Sequence, residues 1–230
     1  EVAQQACAIV MKMQWLARLA RPDLMKAINL LAGRVQKWTR NDDKKLYRLA
    51  CYLHSTSHYK LKCVIGDPAS SLSLRLYADA DFAGDSEDAR STSGNLLVLV
   101  RPNTYFPLAW CSLKQTSTSR STTESEVVSL ANGVFSEALP MLIVWDLLLQ
   151  RECYLEIMED NQATITIVKK VFSKKLRHIS RTHKVNISSL KESCCNRHTS
   201  LCIEAGGRYI HEGRGSTALG AALDMLNVVP

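Results

Sequence analysis

The chain has 230 residues, is 46% hydrophobic and carries a formal net charge of +7. That is enough apolar material to bury a sizeable core, as one large domain or two small ones. Eight cysteines scattered between Cys7 and Cys202 are too sparse for a disulfide scaffold and suit reduced, intracellular thiols. The longest apolar stretch, Val134 to Leu149, is interrupted by Glu137, Pro140 and Asp146, so no membrane span is expected. The chain starts at Glu1 rather than Met, and no secretory signal is visible, which suits a fragment or processed product.

Residues 1–66 carry helical periodicity. Helices are expected over about Val2–Leu19, Arg21–Lys37 and Asp42–Ser55, with Pro22 suited to a helix start because its missing N–H costs nothing there. Asn41-Asp-Asp precedes the third, where acids offset the helix dipole. Gly66-Asp-Pro-Ala-Ser-Ser is a turn or linker, and the domain boundary is placed there: a helical segment over 1–66, a second domain over 67–230.

Beyond it, leucines at every second position in Leu72-Ser-Leu-Arg-Leu-Tyr-Ala-Asp predict a strand ending at Asp79. Further strands are expected over Ser93–Val100 and Tyr105–Ser112, joined by Arg101-Pro-Asn-Thr as a hairpin turn. Ser121-Thr-Thr-Glu is a capping-box signature opening a long helix to Gln150, expected to bend or split at Pro140. A fourth strand, Leu155–Asp160, leads into a helix over Asn161–Val171. Another helix is expected near Thr182–Glu192, a short strand near Ser200–Glu204, and a closing helix near Thr217–Asn227. This order predicts an α/β fold, a mixed sheet with helices on both faces, preceded by a small helical segment.

Charge is segregated along the chain. The net charge is +7 over residues 1–70, −7 over 71–160 and +7 over 161–230. An acidic block between basic flanks suits acids that hold metal ions while the flanks neutralise phosphates. Asp79 and Asp160 at strand ends and Glu126 early in a helix are the acids best placed to converge, and hard cations want oxygen ligands. From Lys169 to Lys184 the chain carries Lys174, Lys175, Arg177, Arg181 and Lys184 among its cations and no acid, a candidate phosphate-contacting stretch.

Five segments, in order, carry a resemblance: Tyr77-Ala-Asp-Ala-Asp-Phe-Ala-Gly-Asp, Ser91-Thr-Ser-Gly, Trp110-Cys-Ser-Leu-Lys-Gln, Ser121-Thr-Thr-Glu-Ser-Glu and Glu159-Asp-Asn-Gln-Ala. Together they resemble the ribonuclease H domain of copia-type retrotransposon polyproteins, from about Tyr77 to Ile187. Upstream, Arg21-Pro-Asp and the helices to Tyr59 resemble the end of that family's reverse transcriptase. The resemblance implies a ribonuclease H-like fold and cleavage of the RNA strand of RNA–DNA hybrids with two Mg²⁺ ions, or Mn²⁺ in their place. It implies the rest of the reverse transcriptase polyprotein as a partner, and an intracellular setting, the cytoplasm or a virus-like particle, with nuclear access open.

Carried over by position, Asp79 matches the first-strand aspartate, Glu126 the helix glutamate with Glu124 as alternative, and Asp160 the fourth-strand aspartate. The nearest counterpart of the fourth acid is Asp224, whose surroundings lack the family's Thr-Lys. The alternative function is therefore a ribonuclease H-like module that has lost catalysis and only binds nucleic acid or braces a reverse transcriptase.

Overall fold

The computed structural model describes residues 2–84, 88–171, 173–203 and 228–229. The chain divides into two units.

The first unit is helical: α1 (Val2–Leu19), a single 3₁₀ turn at Pro22–Leu24, α2 (Met25–Ala32) and α3 (Arg40–Ser55). Val10, Ala17, Leu24, Ile28 and Leu31 form its interior. Arg21 is buried and hydrogen-bonded through all three of its guanidinium nitrogens. It donates to Asp23 Oδ1 and Oδ2 at 2.9 and 2.8 Å, to the Thr56 carbonyl at 2.9 Å and to Thr56 Oγ1 at 2.8 Å. Thr39 and Asp42 form a reciprocal capping box at the start of α3. The acids of Asn41-Asp-Asp therefore serve the helix start, as expected. A two-residue strand, β1 (Lys60–Leu61), pairs antiparallel with a closing strand that is β8 in chain order (Val228–Val229).

The second unit is built on a six-stranded sheet. Its strands are β2 (Val64–Ile65), β3 (Ser73–Asp81), β4 (Thr92–Arg101), β5 (Thr104–Lys114), β6 (Tyr154–Glu159) and β7 (Thr199–Ile203), in the spatial order β2-β5-β4-β3-β6-β7. β2 to β5, β5 to β4 and β4 to β3 are antiparallel; β3 to β6 and β6 to β7 are parallel. An antiparallel meander extended by two parallel strands is the mixed sheet that the resemblance implied. Helices α4 (Thr122–Asn132), α5 (Leu139–Leu149), α6 (Gln162–Lys170), α7 (Ile179–Thr182) and α8 (Ile187–Cys194) complete the unit. Leu74, Leu76, Leu97, Leu130, Leu155, Ile157, Ile165 and Leu190 are fully buried in one core.

Three differences from the sequence expectation have local causes. The boundary falls after Lys62 rather than Gly66, because β2 pairs into the large sheet, and the closing strand groups with the helical unit through β1. The long helix is irregular around Pro140, as expected, but the irregular turn lies before the proline: a π-helical turn over Gly133–Ala138 stands between α4 and α5, and Pro140 sits in the first turn of α5, where no N–H is required. A methyl added at Gly133 would lie 2.5 Å from Asn95 Oδ1, so that turn also needs a glycine for close approach to the sheet. The helix expected near Thr182–Glu192 is instead two, α7 and α8, separated by Lys184 at φ 57° and restarted by Asn186, whose side chain accepts from the Ser188 and Ser189 N–H groups.

By length and composition, Thr122–Leu149 is apolar enough to cross a membrane, and the interruptions noted in its sequence do not break the helix. Its first half packs on the sheet through Val127, Leu130, Ala131 and Val134, whereas Ile143, Val144, Leu147 and Leu148 are exposed. The helix expected over Thr217–Asn227 lies outside the described residues.

Candidate active site

Strand register brings two of the three acids side by side. In the parallel pair β3–β6 the ladder ends with Tyr77 opposite Met158; Asp79 follows two residues later within β3, and Asp160 two residues later just past the end of β6. Both are exposed. The period-2 pleat puts them on one side of the sheet, while Ala78 and Glu159 point to the other.

The third acid arrives on α4. Ser121 caps this helix by accepting the Glu124 N–H, and Ser129 Oγ donates to the Asp79 carbonyl at 2.6 Å, fixing the helix against β3. One turn earlier, the Glu126 carboxylate lies beside the Ala80 N–H, which donates to Asp79 Oδ1 at 2.7 Å. Glu126 is buried, and its Oε2 has no hydrogen-bond partner. Burial, then the charges of Asp79 and Asp160, push its carboxyl from an ordinary 4.5 up to about 8. The acid chosen between Glu124 and Glu126 is thus decided by helix geometry. Residues two apart lie on opposite sides of a helix, and it is Glu126 that faces Asp79 and Asp160.

A fourth carboxylate, on the core side of the strand, couples to them electrostatically, and the sequence did not single it out. Glu159 is completely buried; Oε1 accepts the Asn161 N–H at 3.2 Å and Oε2 has no partner. Burial and the charge of Glu126 push it up to about 9. Its place in Leu155-Glu-Ile-Met-Glu, in phase with the buried Leu155 and Ile157, was the available signal.

The motifs around the acids have structural work of their own. Gln115 donates to Ser93 Oγ and to the Ser125 carbonyl, both at 3.0 Å, and accepts from Ser119 Oγ at 2.9 Å. Its own N–H reaches the Ser91 carbonyl at 2.8 Å. One buried amide thereby ties β4, the end of β5 and the start of α4 together, and so orients Glu126.

Among the described residues, no three His, Cys, Asp or Glu side chains stand close enough to form a ready metal-ligand set. The donors nevertheless suit a hard divalent cation. All are carboxylate oxygens, and the buried Oε2 of Glu126 lacks a partner that a cation would supply. Asp224 lies outside the described residues. Of the basic stretch, Lys175, Arg177, Arg181 and Lys184 are exposed, and the side chain of Lys174 is outside the described set.

No protein-family model matches the chain. Among curated proteins, it is similar to the retrovirus-related Pol polyproteins from transposons RE2 and RE1 of Arabidopsis thaliana. The first is 34% identical over 173 residues, 75% of this chain and 11% of that protein. The second is 37% identical over 124 residues, 54% of this chain and 8% of that protein. The chain therefore spans about a tenth of the length of these relatives. The secreted RxLR effector protein 161 of Plasmopara viticola is 34% identical over 119 residues, 52% of this chain and 79% of that protein. Among solved structures, RNase H1 from the archaeon Halobacterium salinarum aligns with 57% of this chain and 84% of its own, at 13% identity and a TM-score of 0.39. Ordered motifs, sheet topology and the two transposon polyproteins agree: the chain belongs to the family of retrovirus-related Pol polyproteins of copia-type transposons, and carries their ribonuclease H-like domain.

Proposed function

We propose that this chain is an endoribonuclease that cleaves the RNA strand of RNA–DNA hybrids. The observation that carries the reading is that Asp79, in β3, and Asp160, just past β6, each follow by two residues the last paired positions of these parallel strands, Tyr77 and Met158, with Glu126 of α4 close enough for its ionisation to respond to both. Asp79, Glu126 and Asp160 would hold divalent cations, Mg²⁺ or Mn²⁺, with Asp224 as the further candidate. Such cations, when bound, activate water and stabilise charge on the leaving oxygen. The protein's own part is positional. Ala80 N–H and the Gln115 network orient two of the carboxylates, and the exposed cations of residues 175–184 offer contacts to phosphate. Recognition would run through backbone shape, phosphates and 2′-hydroxyls rather than base edges. In the family's setting, the remaining polyprotein would be the partner that presents the hybrid.

The test is incubation with labelled RNA–DNA hybrid and Mg²⁺, beside RNA-duplex and DNA-duplex controls. Cleavage confined to the RNA of the hybrid supports the reading. The lack of a ready set of three ligand side chains among the described residues favours a second one, a module that binds hybrid without cutting it, and binding without cleavage would select that.

Metal binding has its own readout. At neutral pH, Glu126 is held mostly protonated because its carboxyl is pushed up to about 8, and a cation displaces that proton. Adding Mg²⁺ should therefore release about one proton per chain near pH 7. Calorimetry in two buffers of different ionisation enthalpy measures this release. Mg²⁺ binding with no proton release would remove Glu126 from the ligand set.

A further inference from the structure

Glu124, two residues before Glu126, faces away from the acid cluster and is almost completely buried. Its Oε2 accepts the Arg120 N–H at 3.0 Å, just outside the helix cap. That leaves Oε1 free of capping duty, and two imidazoles converge on it. His178 Nε2 lies at 2.9 Å and His183 Nε2 at 3.3 Å. The His183 ring is as buried as Glu124 itself, and neither of its nitrogens is in hydrogen-bonding geometry. Beside them, Ser117 Oγ donates to the Thr182 carbonyl at 3.0 Å.

Both histidines belong to the cation-rich stretch from Lys169 to Lys184, which contains no acid of its own. Leu176, Ile179 and Val185 sink that stretch into the core. Apolar contacts are non-directional and set its depth but not its rotation. A cap needs only one carboxylate oxygen at the helix surface, and a surface glutamate would serve. Burying the whole group carries a desolvation cost that capping does not explain. What the burial achieves is a directional tie between the basic stretch and the first turn of the helix that carries Glu126.

We propose that Glu124 is a positioning residue: through its hydrogen bond to His178, with the His183 ring buried against it, it holds the basic segment in register with the start of α4, so that Lys175, Arg177 and Arg181 meet the phosphates of a duplex engaged at the acid cluster. This rests on the nucleic-acid reading above. The class of ligand positioned is a polyanionic duplex backbone, and Glu124 itself touches neither duplex nor cation.

The experiment uses the full chain and a short labelled RNA–DNA hybrid, with affinity measured across a salt series and amide hydrogen exchange followed over residues 178–184. Glu124→Ala should speed exchange there, weaken binding on the order of tenfold, and flatten the log–log salt slope by about two units, since each phosphate neutralised contributes roughly 0.9. Glu124→Gln can still accept the Arg120 N–H through its oxygen while its amide N–H₂ donates to His178 Nε2 in the other imidazole tautomer, and should restore most of the affinity. A merely destabilised fold would not be rescued in this graded way. His178→Ala breaks the same contact from the exposed side without touching α4 and should reproduce Glu124→Ala, with no further loss when combined. The triple variant Lys174→Ala, Lys175→Ala, Arg177→Ala should flatten the slope by itself. If the triple variant flattens the slope while Glu124→Ala and His178→Ala change neither slope nor exchange, Glu124 positions nothing. Should the triple variant leave the slope unchanged, the phosphate role of the segment falls and the positioning role with it, whatever the exchange shows.

Discussion

Asp79→Asn should abolish hybrid cleavage while leaving hybrid binding intact or tighter. The substitution is isosteric, and Asn Oδ1 can still accept the Ala80 N–H that Asp79 accepts at 2.7 Å. The Asp79 carbonyl that receives Ser129 Oγ is untouched, so α4 should stay in place. What is lost is one negative charge at the point where Asp79, Asp160 and Glu126 meet. Removing a single electrostatic group from a preorganised site typically lowers turnover by about 10²–10³, and loss of a cation ligand should reach at least that. The same lost charge reduces repulsion toward phosphate, which acts on binding in the opposite direction. Single-turnover cleavage with Mg²⁺, set beside equilibrium binding without it, separates the two effects. The variant should also bring Glu126 down from about 8, though not to its ordinary 4.5, because burial is the largest cause and remains. A folded variant that loses binding and cleavage together would make Asp79 a structural residue.

The largest effect on stability is expected at Glu159. Its carboxyl ionises at 4.5 when solvated and at about 9 in the folded chain. Between those values the unfolded chain has released a proton that the folded chain keeps. Stability therefore falls as pH rises through that window, by up to about 1.4 kcal/mol per pH unit for this group alone. Glu159→Gln removes the slope. It leaves an amide with an unpartnered N–H₂ in place of a protonated carboxyl with an unpartnered oxygen, so near pH 4.5 the variant should be no more stable than the parent, or slightly less. By pH 8 it should be more stable by roughly 2–3 kcal/mol, after allowance for relaxation around the buried charge. Denaturant midpoints measured from pH 5 to pH 8 without divalent cations would show the two curves diverging upward. Parallel curves would mean that Glu159 ionises in the folded chain as freely as in water.

Much of the local structure is legible in the sequence. The leucines at 72, 74 and 76 announce β3 because strand pleat has a period of two, and all three are buried. Ser121 and Asn161 can be recognised as caps, since a short polar side chain can satisfy the free N–H groups of a first helical turn wherever the helix lies. The length of the helix expected at Thr182–Glu192 was misjudged because Lys184 adopts a left-handed backbone that its residue type does not advertise. Around Pro140 the interruption is legible, but its form is not: the π-helical turn lies just upstream and leaves Pro140 at a helix start.

By itself the sequence determined which acids could matter and on which elements they ride: Asp79 closing a strand, Glu126 opening a helix, Asp160 after another strand. Periodicity and capping are properties of neighbouring residues, and those survive without a fold. Only the tertiary structure decided that β3 and β6 run parallel in a register that sets Asp79 beside Asp160, that Glu126 and not Glu124 turns toward them, and that Glu159 is buried beneath. Those outcomes depend on pairings 81 residues apart, such as Ser73 with Tyr154, and on which side of α4 meets the sheet. No short-range pattern encodes such pairings, because they are chosen by the burial of whole faces against one another.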